Sequence, residues 1–204
     1  MSGCCDDDGC SLERLQERQR GTLQAVLAIN AVMFLVIVAA ALYGDSSALF
    51  ADSLDNLGDA LTYGLSLFAV SRGPVVKARV ALFKGGLIFL AACAVAAQII
   101  VKALTPSLPL FEVMGLFSLL GLAANGLCLF LLWRHRAEDV NMSSVWECSR
   151  NDIVSNLSVF VAAGGVWLTG SGWPDMAVAA VLVLVLMRSA IRVLLSARAG
   201  LKAG

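Results

Sequence analysis

The chain has 204 residues, of which 59% are hydrophobic and only four are proline, and its mean hydropathy is +0.82. Fifteen basic residues balance fifteen acidic ones, and the net charge of zero says little about partners; no nucleic-acid partner is expected. The composition excludes an ordinary soluble domain and describes an all-α integral membrane protein whose solvent is mostly lipid.

The N-terminal segment 1–21 is polar. It opens with "CCDDDGC", where Cys4, Cys5 and Cys10 stand among three aspartates. Such a tail can capture a soft cation near a pore entrance, or it is a disordered acidic tail, and its spacing matches no structural zinc module. The next stretch, "SLERLQERQRGT", reads as a short charged helix at the membrane surface, supported by pairs four residues apart. Because these residues are polar and the first apolar run is full length, that run is expected to be an anchor and not a cleaved signal.

Six apolar windows follow, Thr22–Tyr43, Ala48–Val70, Val80–Ala103, Leu110–Trp133, Ser143–Leu168 and Trp173–Ser196. Each is long enough to cross a hydrocarbon core about 30 Å thick. Short turn-rich breaks separate them at "GDSS", "SRGP", "TPSLP", "RAEDVN" and "TGSGWPD". Strands are not expected, since lipid cannot satisfy an open sheet edge and the alternation of a membrane barrel is absent. The predicted organisation is a tail at 1–21, a six-helix unit at 22–197 and a second tail at 198–204, too short for a soluble domain. Arginines and lysines crowd the N-terminal segment, the second and fourth connections and the C-terminus, which places both termini in the cytoplasm. Lys102 is the exception.

Polar residues inside the spans carry the chemistry. On helix two, Asp52, Asp55 and Asp59 share a stripe that Thr62 and Ser66 extend, because residues three and four apart lie on one helix face. At about 6 Å and an effective dielectric of about 20, two carboxylates repel by roughly 3 kcal/mol, so they share protons or hold a cation. Helix five repeats the pattern in "WECSRNDIVSNLS", with Cys148 and Asp152 four apart and Ser155 and Asn156 continuing the polar face. Asp55, Asp59, Cys148 and Asp152 supply four ligands, the number a tetrahedral metal site needs. Asp52 is an accessory candidate on the metal or proton path. The competing reading makes these acids structural, paired with Arg150, Lys84 or one another, and Cys93 and Cys128 read as packing.

These motifs are specific enough to name a resemblance. "SSALFADSLDNLGDALTYGLSLF" resembles the second transmembrane helix of the cation diffusion facilitator family, with Asp55 and Asp59 on its signature of an acid or histidine, three residues, then aspartate. "CSRND" is similar to the fifth-helix signature, with Cys148 in place of the usual histidine or aspartate. "GLAANGLCLFLLWRHR" and "WLTGSGWPDMAVAAVLVLVL" extend the likeness over nearly the whole of Thr22–Ser196. The resemblance implies a multi-pass homodimer, in a bacterial inner membrane, that exports a divalent metal from the cytoplasm in exchange for protons. The family's C-terminal ferredoxin-like domain is not expected here, so dimerisation falls to the membrane helices. Its histidine-rich loop is represented only by His135.

Carboxylates suit manganese, while a thiolate favours zinc, cadmium or cobalt. Zinc or cadmium is therefore the expected cargo, with iron, cobalt or manganese as the alternative. Metal and protons compete for the same ionised ligands, which is the basis of antiport in a site of alternating access. The other classes are an intramembrane metalloenzyme and a non-transporting metal sensor. No "HExxH" motif supports the former, and no resident cofactor is expected.

Overall fold

A computed structural model describes residues 6–69, 74–133 and 140–202; the side chains of residues 6–19, 65, 66, 68, 69, 74, 76, 77, 80, 140–150, 196, 200 and 202 lie outside the described set. The described residues form six helices and no strand: α1 Asp6–Tyr43, α2 Ser47–Ala69, α3 Pro74–Leu104, α4 Phe111–Trp133, α5 Val140–Thr169 and α6 Trp173–Lys202. The charged segment after the cysteine cluster is no separate surface helix. It runs without a break into α1, which begins at Asp6. Helix α3 starts a polar turn and a half earlier than its apolar window, with Pro74 at its first position, where a missing N–H costs nothing.

Five of the six helices are long and apolar enough to span a membrane, the exception being α2. Its 23 residues give the length, but Asp52, Asp55 and Asp59 sit so centrally that every 18-residue window contains all three. Packing resolves this. Helices α1, α2, α5 and α4 form a closed ring of neighbours, α6 lies against the α2–α5 edge, and α3 packs along α6 and touches α2. Helix α2 is thereby the one element in contact with all five others, and its carboxylates are taken up by protein. Outward positions are apolar instead: Leu104 is 79% exposed, and Phe130 and Leu168 are 76%. Polar inside and apolar outside is the distribution lipid demands.

One end of the bundle is tied by a polar network. Helix α1 stops in a Schellman turn, with Ser46 N–H on the Ala41 carbonyl at 3.0 Å and Asp45 in the left-handed region at φ 48°. The Leu110 amide then bonds the Gly44 carbonyl at 2.9 Å. Lys102, the exception to the charge pattern, is spent here, 2.9 Å from the Asp45 carboxylate and donating to the Asp45 carbonyl. Asp175, at the start of α6, is fully buried and caps α2: Ser46 Oγ, Ser47 N and Ala48 N donate to its carboxylate at 2.6, 2.8 and 2.9 Å. Three donors converging on one acceptor at a helix N-terminus is a strong anchor, since the dipole and the free amides both favour negative charge.

Close approach elsewhere rests on small residues. Within the predicted spans, Gly85 and Gly165 sit against neighbours: a Cβ would meet Leu194 at 3.0 Å in the first case and Pro174 at 3.0 Å in the second. Gly86 and Gly164 face open space.

Candidate metal centre

The ring interior carries a column of buried polar groups. Asn30 on α1, Asp52, Asn56 and Asp59 on α2, Ser118 and Asn125 on α4, and Asp152 and Asn156 on α5 are all less than a tenth exposed. Their spacing follows helical period. On α2 the inward positions are 52, 56, 59 and Tyr63, so Asp55 stands at the edge of the stripe and stays partly exposed.

Antiparallel packing of α2 on α5 sorts the three aspartates. Asp59 faces Asp152, their carboxyl groups within hydrogen-bond reach of each other. Asp55 meets the hydroxyl of Ser155, a turn nearer the Asp175 end. Asp52, another turn along, is fully buried, and neither of its oxygens has a hydrogen-bond partner among the described residues. Two facing carboxylates hold either a proton or a cation between them, so Asp59 and Asp152 form a natural exchange point for the two. The phenol of Tyr63 donates to Asp59 Oδ2, and the Lys84 ammonium, which donates to Thr62, brings a positive charge from α3 to the same carboxylate. Asp152 Oδ2 has no hydrogen bond among the described residues.

Of the four predicted ligands, then, Asp59 and Asp152 come together directly, and Asp55 lies beside them. Cys148 falls on α5 one turn from Asp152, but its side chain is outside the described residues, as are those of Glu147 and Arg150. Cys4, Cys5 and His135 also lie outside the described residues, and Cys10 is described only as a helical position of α1. Among the described residues, no three His, Cys, Asp or Glu side chains close around a point where an ion fits. The described geometry is an open carboxylate pair, short of a finished cage.

Asn156 and Gly121 hold the α4–α5 contact at this level. Asn156 donates to the Asp152 carbonyl at 2.8 Å, and its Oδ1 occupies the space a Gly121 side chain needs, 1.9 Å from where a Cβ would stand. Sequence reading passed over two residues here. Cys128, read as packing, is buried on α4 with Asp152 and Asp59 as its charged neighbours. Asn30, on α1, donates to its sulfur at 3.8 Å. An asparagine inside an apolar run was the available signal for the second of them.

A family model of the cation efflux transmembrane domain matches residues 23–201. The chain belongs to the cation efflux family. That span covers all six helices, α2 included, so the element that fails on hydropathy is still part of the membrane domain. Comparison with curated proteins returns no match. Cation efflux proteins are metal-cation transporters of the membrane, and this places the carboxylate pair inside a transport domain.

Proposed function

We propose that this cation efflux protein exports a divalent metal, zinc or cadmium first, from the cytoplasm in exchange for protons, through a site built by Asp55, Asp59, Cys148 and Asp152. The observation that carries this reading is the apposition of Asp59 and Asp152 across the α2–α5 contact. Two facing carboxylates in a membrane interior need a proton or a cation between them, and a site that accepts either can exchange one for the other. Metal entering from one side displaces the shared proton, and protons entering from the other displace the metal. The basic residues on the segments at the chain-terminal end of the bundle support a cytoplasmic entrance there. A thiol at Cys148 favours zinc and cadmium, with cobalt or iron next and manganese last.

On this reading the protein acts as a homodimer joined through membrane helices in a bacterial inner membrane, and Cys4, Cys5 and Cys10 gather metal at the entrance. The test is uptake of zinc, cadmium, manganese, iron and cobalt into proteoliposomes under a pH gradient, for the wild type and Cys148→Ser. Expected are pH-dependent flux of zinc and cadmium and a selectivity moved towards manganese in the variant. Absence of pH-dependent flux for every ion rejects the reading.

A further inference from the structure

We infer that Cys128 on α4 is a further ligand of the transported metal, and that Asn30 on α1 positions it. The inference rests on the reading that Asp59 and Asp152 form the metal site. Helix α4 lies outside the four-residue set on α2 and α5, so it adds a third helix to the coordination.

Three observations support it. Tyr63, whose phenol holds Asp59, packs in one buried cluster with Cys128, Val26 and Leu132, which brings the thiol to the side of the carboxylate pair without recourse to charge. The Asn30 amide is fixed by two bonds from Nδ2, to the Val26 carbonyl at 3.0 Å and to Cys128 Sγ at 3.8 Å. Its Oδ1, on the same amide, is buried and has no hydrogen-bond partner among the described residues, and neither has Asp152 Oδ2. Two buried oxygens, one on the amide that touches the thiol and one on a carboxylate of the facing pair, are unmet acceptors of the kind that a bound cation satisfies. A cysteine that merely filled space would not need a buried amide donating to its sulfur.

The chemistry follows. A thiol from α4 at Cys128, added to the Cys148 of the proposed ligand set, converts a hard carboxylate site into a mixed sulfur and oxygen site suited to soft divalent ions. On binding, the Cys128 S–H bond breaks and a sulfur–metal bond forms. The thiol proton leaves with whatever proton the carboxylates shared, so the ion arrives as protons depart.

The test uses the full chain with Cys4, Cys5, Cys10 and Cys93 changed to serine, so that only Cys128 and Cys148 remain. Cadmium is titrated while the ultraviolet thiolate-to-cadmium charge-transfer band is followed, and X-ray absorption of the loaded protein counts sulfurs per cadmium without any further substitution. Expected are about two sulfurs per ion and, in Cys128→Ser or Cys148→Ser, a band about half as strong. The double variant is expected to have none. Asn30→Ala keeps both sulfurs but weakens cadmium binding roughly tenfold. One sulfur per ion, with the band lost in Cys148→Ser alone while cadmium is still transported, overturns the role of Cys128 and leaves the α2–α5 site standing. No cadmium bound by the four-serine protein, with none transported, overturns both.

Discussion

At the residue scale, three aspartates that look equivalent in the sequence have three different environments. Asp59 shares its position with Asp152, so Asp59→Asn and Asp152→Asn should each abolish metal flux in proteoliposomes while the protein still purifies as a folded species. Asp52 is buried with both carboxylate oxygens unpartnered, which costs stability unless function requires it. Asp52→Asn is therefore expected to leave the melting temperature in detergent unchanged or raised and to slow transport. A lowered melting temperature with full flux would identify a structural carboxylate instead. Gly121 is constrained by Asn156, whose Oδ1 stands 1.9 Å from the place of a Cβ. Gly121→Ala should cost about 1–3 kcal/mol in a thermal or denaturant melt, since Asn156 is buried and has no room to retreat.

At the element scale, α2 carries three aspartates in its middle and is the helix that touches all five others among the described residues. Its N-terminus is fastened to α6 by the three bonds to Asp175, and Ser46 Oγ also accepts the Leu49 amide at 3.0 Å. Removing a buried carboxylate that accepts several hydrogen bonds leaves the helix amides open, so Asp175→Ala should lower stability by roughly 2–3 kcal/mol. Asp175→Asn, which keeps one acceptor oxygen, should lose less. Because Asp175 lies several turns from Asp59, the ranking of metals in uptake assays should not change in either variant. A change of ranking would mean that the anchor also sets the geometry of the site.

At the scale of the whole molecule, stability responds to pH and to metal. Burial works to raise the Asp45 carboxyl, but the Lys102 ammonium 2.9 Å away helps to outweigh it, and the group is held below its ordinary value of 3.8. A carboxyl depressed on folding stabilises above its unfolded value, and the contribution fades as pH falls through the folded one. Asp45→Asn should thus lower the melting temperature at neutral pH by a small amount, the side chain being 49% exposed, and the difference should close below about pH 4. Metal acts in the other direction. Cadmium at a hundred times its dissociation constant should stabilise the protein by about 2.7 kcal/mol. That gain should grow as pH rises, because the ligands must be ionised to bind.

The local patterns of the sequence determined the class, the six helices and two of the residue pairs that matter. Hydropathy over some twenty residues and the three-to-four residue spacing of Asp55, Asp59, Cys148 and Asp152 need no knowledge of neighbours. They do not say which acid of a stripe faces which residue on another helix. That depends on the depth at which antiparallel helices pack, a property shared by residues about a hundred positions apart. Only tertiary structure could set Asp59 opposite Asp152, turn Asp55 to Ser155 and leave Asp52 alone. By the same cause Asp175, which reads as a first-turn acid of α6, serves α2, and Cys128, which reads as packing, lies beside the carboxylate pair.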